Sequence, residues 1–263
     1  MTTVGTSVQI VREGRIVTVT LSGPEEENRL TPDALGALEA LVAWLAEDEE
    51  AQVVIFTGAG TQFFSSGILN PALRAGYSKD EIITLVRLAN RVYDGLEALP
   101  QITIAALNGI TRAGAAELAL ACDIRLAAGH AVFAMPEARW GGFPGAGGPV
   151  RLPAVVGRAR ALEIICTGRE VTADEMERIG LVLTVHPGDR LLAETLVLAR
   201  RIAESGPLAT HGAKRIVQAR VVAGFAAAWA LSDALRHELE WSHDVDEGIA
   251  AHREGRPPKF TGR

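Results

Sequence analysis

The chain has 263 residues, a length at the upper end for a single domain. Of these residues 48% are hydrophobic and 22% charged, a composition typical of a globular protein with a sizeable core. Its net charge of -6 and pI near 5.6 argue against a general nucleic-acid or anionic-membrane surface, because both need a basic face. We therefore expect a globular protein that binds a small molecule, with neither nucleic acid nor membrane among its partners.

The first 14 residues contain no basic stretch followed by an apolar segment, so we expect no secretory signal and a cytoplasmic location. The apolar run at 221–231 is shorter than the roughly 20 residues that span a bilayer, and it predicts a core helix instead. Cys122 and Cys166 fit neither a CxxC nor a Cys/His zinc spacing. We expect two reduced, buried thiols and no metal site.

The chain opens with two segments rich in β-branched residues, 7–12 and 15–21, which predict a β-hairpin. Thr31-Pro32-Asp33 supplies an N-cap, a proline for the first turn and an acid, and a helix should follow. The apolar segment 52–58 then predicts a strand.

The same pattern repeats further along. Ser78 and Glu81 form a capping box before a helix that should run to about Leu99, and a strand is predicted at 102–109. Alternating strands and helices favour a parallel sheet with crossover helices. Short strands are predicted at 123–126 and 131–134, a second capping box at Thr172 and Glu175, and helices alone from about residue 189.

Glu117 is the one charged residue in the otherwise apolar helical segment 113–122, which should be buried. A carboxylate there is either a structural group bonded to its neighbours or an acid or base at a cleft, and composition leaves both open. Gly114 lies in the first turn, where unpaired N–H groups could hold an oxyanion, although a packing glycine would look the same.

Other motifs are weaker. The loop 58–67 is neither a dinucleotide nor a P-loop motif, Ser65 and Ser66 are not in a nucleophile elbow, and the histidines form no HExxH pair. Nucleotide-binding, serine-hydrolase and metalloprotease functions therefore lack support. Glu137 follows a short predicted strand, where catalytic side chains are often displayed.

Four segments in order resemble the crotonase superfamily, and the enoyl-CoA hydratases in particular, over nearly the whole chain. The family motif FxAGADL is similar to FSSGILN at 64–70, and AxNGxxxGGGxELALxCD is similar to ALNGITRAGAAELALACD at 106–123. The family's FxxPExxxGxxPGAGGxxRL resembles residues 133–152, and its tail resembles residues 247–260.

The resemblance implies an α/β fold with a crotonase-like ββα spiral core at 1–195 and a C-terminal helical region at 196–263 that trimerises, both in one functional unit. It implies a homotrimer or a dimer of trimers that acts on an acyl-CoA, with coenzyme A part of the substrate and no separate cofactor or metal.

The resemblance also places an oxyanion hole at the backbone N–H groups of Ile68 and Gly114, and the acid/base carboxylates at Glu117 and Glu137. Further substrate-binding positions carried over from the family are Ser66, Gly67, Leu69, Trp140, Gly145, Lys259 and Phe260.

The chain departs from the family pattern at three positions: Leu69 replaces an aspartate, Ile68 replaces a small residue, and Ala113-Gly114-Ala115 replaces three glycines. We expect a more apolar and tighter pocket near the thioester. Glu25 to Glu27 also stand where relatives often carry a basic residue for the coenzyme phosphates.

The function predicted from this resemblance is hydration of a 2-enoyl-CoA. Fold alone does not choose the reaction, so isomerisation of an enoyl-CoA and hydrolysis of a CoA thioester or of a non-CoA diketone stay open. A non-catalytic binding protein on this fold, including an RNA-binding one, is disfavoured by the two carboxylates and the acidic balance.

Overall fold

The computed structural model describes residues 2–3, 7–222, 234–235 and 241–263. The core helix predicted at 221–231 therefore lies outside the described residues from 223 onward.

The strands form two sheets. They are β1 (Thr2–Thr3), β2 (Val8–Glu13), β3 (Ile16–Leu21), β4 (Val53–Gly58), β5 (Phe63–Ser65), β6 (Ile102–Leu107), β7 (Ile110–Arg112), β8 (Ile124–Ala128), β9 (Val132–Ala134), β10 (Glu170–Thr172) and β11 (Val185–His186).

The helices surround the sheets. They are α1 (Pro32–Ala46), α2 (Pro71–Arg74), α3 (Lys79–Ala98), α4 (Gly114–Ala121), α5 (Gly148–Val156), α6 (Arg158–Thr167), α7 (Ala173–Arg178), α8 (Leu191–Ala203), α9 (Pro207–Val222) and α10 (His243–Glu254), with short 3-10 helices at Pro24–Glu26 and Pro136–Trp140.

The larger sheet has seven strands in the order β1-β2-β3-β4-β6-β8-β11. Its first three strands are antiparallel, and every later pair is parallel, as between Val54 and Thr103. The predicted hairpin and the predicted parallel crossovers are thus confirmed. Parallel strands are normally covered on both faces, and all six residues of β4 are buried.

The smaller sheet has the order β10-β9-β7-β5, and its members β5, β7 and β9 run parallel. Their carboxyl ends therefore lie at one edge, where open α/β sheets often bind ligands. The chain leaves β5 toward Ile68, β7 toward Gly114 and β9 toward Glu137. This sheet gathers three sequence-distant segments beside one another.

Two of the three predicted helix caps form in full. Thr31 caps α1, and Ser78 and Glu81 form the complete capping box of α3. The box predicted at Thr172 is only half formed: its side chain accepts from the Glu175 N–H, but the Glu175 carboxylate binds Arg169 at 2.8 and 2.9 Å instead. A bidentate, charge-assisted bond is stronger than a backbone cap.

Two further expectations are corrected. Cys122 is buried, and burial raises the pKa of its thiol to about 12, but Cys166 is exposed on α6. The predicted division after residue 195 falls inside α8, which packs on β3, β4, β6, β8 and β11 and so belongs with the core. Among the described helices, none has the length and apolar character that a membrane crossing needs.

Candidate active site

Helix α4 carries the first carboxyl into the interior. All eight of its residues are buried, and Glu117 is only 2% exposed. Its Oε1 accepts hydrogen bonds from the N–H groups of Ala146 and Gly148, each at 2.8 Å. Removal from water raises the pKa of Glu117 to about 8, the charge of Glu137 adds to the rise, and the two N–H donors only partly oppose it.

Glu137 lies in the 3-10 helix that follows β9, at the carboxyl end of the smaller sheet. Its Oε2 is buried without a hydrogen-bond partner among the described residues. Burial raises the pKa of this carboxyl to about 7. Buried acceptors are nearly always paired, so an unpaired carboxyl oxygen that lines a cavity indicates a place for a ligand or a reacting water.

Two backbone N–H groups meet at the same cavity. Within the described ranges, neither the Ile68 N–H nor the Gly114 N–H has an acceptor, although neighbouring amides do. Gly67 brings the two segments together: its φ is +93°, and a Cβ there would lie 2.9 Å from the Gly114 nitrogen and 2.5 Å from the Arg112 carbonyl oxygen. Only glycine permits this approach.

Ala113, directly before Gly114, adopts φ 53° and ψ -127°. This conformation strains any residue with a Cβ, typically by about 1–3 kcal/mol. The strained turn ends β7 and starts α4, and it leaves the Gly114 N–H without an acceptor at the helix N-terminus. Sequence reasoning gave no sign of this strain.

Two supporting side chains were also missed. The buried Tyr93 of α3 donates from its hydroxyl to the Gly114 carbonyl at 2.8 Å. Arg151 of α5 donates to the Ala146 carbonyl at 3.2 Å and also binds Glu97 and Asp94. Arg151 stands in the segment 133–152 already singled out, whereas Tyr93 lay outside every motif.

The glutamates and the two unpaired N–H groups line one cavity of about 220 Å³. Its lining residues are Ile68, Leu69, Asn70, Pro71, Arg74, Ile82, Val86, Ala113, Gly114, Glu117, Glu137, Trp140, Gly142, Phe143, Gly145 and Ala146. Most of these side chains are apolar, as expected from Ile68 and Leu69.

Of the predicted substrate-binding positions, Leu69, Trp140 and Gly145 line this cavity, and Ser66 and Gly67 do not. The Ser66 N–H donates to the Glu27 carbonyl, and the Gly67 N–H donates to the Ser65 hydroxyl. In the structure these two residues shape the loop that presents Ile68.

Lys259 and Phe260 line a separate cavity with Arg15 and Glu204, so within one chain they lie apart from the glutamates' pocket, and their role in substrate binding stays a prediction. Two hydrogen bonds hold the C-terminal segment in this position. Arg15 donates to the Phe260 carbonyl, and the Lys259 N–H donates to the Glu247 carboxylate at 2.7 Å. These contacts hold the tail beside α8.

Two sheets, with a buried helix that follows a strand of the smaller sheet and carries a carboxyl, are the features of a crotonase-type fold. The family model described as enoyl-CoA hydratase/isomerase matches residues 12–263. The chain belongs to the enoyl-CoA hydratase/isomerase family.

Individual relatives agree with this assignment. The chain is 34% identical over 252 residues to a putative enoyl-CoA hydratase/isomerase of Bacillus subtilis, which covers 96% of each chain. It is 31% identical over 261 residues to a probable enoyl-CoA hydratase of Mycobacterium tuberculosis, covering 98% of each. It also superimposes on the crystal structure of an enoyl-CoA hydratase from Bacillus anthracis with a TM-score of 0.95, 32% identity and coverage of 98% and 100%. The predicted crotonase-like fold is thereby confirmed.

Proposed function

We propose that the protein is an enoyl-CoA hydratase that adds water across the double bond of a 2-enoyl-CoA thioester. One observation carries the proposal: two buried carboxyls with raised pKa values face the same cavity as two backbone N–H groups without acceptors. Coenzyme A enters as part of the substrate, and no separate cofactor is proposed.

The N–H groups of Ile68 and Gly114 would hold the thioester carbonyl oxygen and stabilise the negative charge of an enolate. Donors fixed before the reaction stabilise such charge without reorganisation, and loss of one typically costs 100-fold or more in rate. Gly67 and Ala113 support this role, because Gly67 allows the Ile68 loop to approach the Gly114 nitrogen and the turn at Ala113 places Gly114 at the start of α4.

The two glutamates would share one proton. A carboxylate takes a proton from water as the water oxygen bonds to C3, and the other carboxyl delivers a proton to C2 as the enolate collapses. The raised pKa values of Glu117 and Glu137, about 8 and about 7, allow one protonated and one ionised group near neutral pH.

Isomerisation of the double bond is the second candidate. It moves a proton between C2 and C4 and needs only one carboxyl group. The second buried glutamate, with an unpaired Oε2 in the cavity, favours hydration, since water has to be activated on that side.

The test measures loss of the conjugated enoyl absorbance with crotonyl-CoA and longer 2-enoyl-CoA esters. Glu117→Gln and Glu137→Gln should each lower kcat roughly 100-fold to 10,000-fold, because each removes a proton-transfer group. Glu49→Gln, the same change on an exposed turn, is the matched control.

The outcomes separate the candidates. Gain of absorbance from 3-enoyl-CoA esters without hydration would instead identify an isomerase. No turnover of any enoyl-CoA and no thioester binding would overturn the thioester proposal and favour hydrolysis of a non-CoA diketone.

We also propose that the chain assembles as a homotrimer or a dimer of trimers. Exposed apolar side chains in the C-terminal region support self-association: Val217 is 63% and Trp241 82% exposed. Light scattering after size-exclusion chromatography tests this, and a monomeric mass at micromolar concentration would contradict it.

A further inference from the structure

Arg74 is the cationic side chain in the wall of the active-site cavity. It ends α2, the single-turn helix that Asn70 caps directly after the Ile68–Leu69 loop. The same cavity holds Ile68 and Gly114, so a ligand anchored at their N–H groups lies in the space that Arg74 borders.

Arg74 forms no ion pair with another described residue. Among the described residues, no carboxylate lies within 4.0 Å of its guanidinium, whereas Arg151 contacts two carboxylates and Arg169 also contacts two. Its neighbours in the cavity wall include the apolar Ile82 and Val86 of α3. The guanidinium charge contributes nothing to the binding of a neutral hydrocarbon chain, which could contact only the methylene stem.

Electrostatics also constrain the ligand. Glu117 and Glu137 give the cavity negative character whenever either is ionised, and they would repel an acidic acyl group. A guanidinium in the same wall offsets that repulsion. Its planar fork matches a carboxylate with two parallel hydrogen bonds, a geometry that a point charge does not offer.

We propose that Arg74 receives a terminal carboxylate on the acyl group, so that the preferred substrates are monothioesters of unsaturated dicarboxylic acids. This inference rests on the proposed function and names its substrate class. Arg74 is then a specificity residue, since it acts at the end of the acyl chain remote from the reacting carbons.

The test compares the binding of matched saturated thioesters, which do not react: glutaryl with valeryl and adipyl with hexanoyl. Each is prepared as the coenzyme A ester and as the pantetheine ester, which lacks the nucleotide phosphates. The proteins are the parent, Arg74→Met, Arg74→Lys and Arg87→Met, where Arg87 is an exposed arginine on α3 outside the cavity wall.

In at least one matched pair, the parent should bind the acid about 1.5-fold to fivefold more tightly than the neutral ester, the range of a partly exposed ion pair. The preference should fall to about one in Arg74→Met, persist in part in Arg74→Lys, and remain in Arg87→Met. It should appear with both kinds of ester and shrink at 0.5 M salt.

Two results would overturn the inference. The parent could bind the acid no better than the neutral ester in every pair. Alternatively, Arg74→Met could weaken coenzyme A esters regardless of the acyl group and spare pantetheine esters, which would assign Arg74 to a coenzyme phosphate. If the protein hydrates crotonyl-CoA but does not prefer acidic acyl groups, only this inference is contradicted. If it prefers acidic acyl groups but hydrates no enoyl-CoA, only the proposed reaction is contradicted.

Discussion

Replacement of Glu117 by glutamine should stabilise the protein, and increasingly so as the pH rises. The folded protein holds this carboxyl with a pKa of about 8, against 4.5 for an exposed glutamate. Because the folded value is the higher one, the stability that comes from its proton is complete below about pH 4.5 and is lost as the pH rises through 8. Glutamine carries no charge and loses nothing over this range.

The size of the effect follows from the shift. At 1.36 kcal/mol per pKa unit, the difference in unfolding free energy between variant and parent should grow by about 4 kcal/mol from pH 5 to pH 9. The side chain is 2% exposed, so solvent screening removes little of this. Glutamine Oε1 can still accept from the N–H groups of Ala146 and Gly148, which keeps the loop in place.

The assay is thermal unfolding of both proteins at fixed concentration from pH 5 to pH 9. For a chain of this size, about 1 kcal/mol corresponds to about 2–4 °C. Glu137→Gln should show a smaller trend of the same sign, since its pKa is about 7, and the exposed Glu49→Gln should show none. A melting-temperature difference that stays flat or shrinks as the pH rises would refute the assignment of a buried, proton-holding Glu117.

Other consequences concern the pair and the oxyanion hole. The rate of hydration should peak between about pH 7 and pH 8, because Glu117 and Glu137 must hold one proton between them; a steady rise to pH 9.5 would contradict this. Gly114→Ala should lower kcat by roughly 100-fold, since its Cβ would lie 2.6 Å from Ile68 Cγ1, and adding Ile68→Ala should restore a large part in steady-state kinetics. Ala113→Gly should raise the unfolding free energy by about 1 kcal/mol in denaturant titrations as backbone strain is relieved, and a decrease would argue against that strain.

The elements predicted well from sequence are those with local signals. Caps at Thr31 and Ser78 fixed the starts of α1 and α3, and β-branched runs fixed β2, β3 and β4. The smaller sheet was only partly foreseen, because β5 and β7 have three residues each, too few for a periodic pattern. Long-range contacts, such as those of Lys259 and Phe260 with Arg15, cannot be predicted from the local sequence pattern around each residue.

The sequence predicted the two catalytic candidates unequally well. Glu117 was visible as a lone charge on an apolar helix, which already required a partner or a raised pKa. Glu137 stood in an ordinary loop pattern, and only the family resemblance gave it a role. The structure supplies what was missing, because parallel β7 and β9 bring the segments after them to the same edge.

Several unfavourable features gather at the active-site cavity, although others lie elsewhere in the described residues, among them the buried, unpaired Arg29 Nε and the positive φ angles of Glu27 and Asn28. Two buried charged side chains remote from the cavity are well paired: Arg125 donates to the Leu181 and Cys122 carbonyls, and Lys214 binds Asp123 at 2.8 Å. At the cavity, by contrast, Ala113 is strained, and a buried Glu137 oxygen and two amides have no partner among the residues that the structure describes. Each feature lowers stability, and in the proposed reaction one bound substrate and its water would give partners to the two amides and the carboxyl oxygen, while the strained backbone of Ala113 would remain. The proposed hydration needs both kinds of unpaired group in one cavity: N–H donors for the thioester oxygen and a carboxyl oxygen for the proton of water.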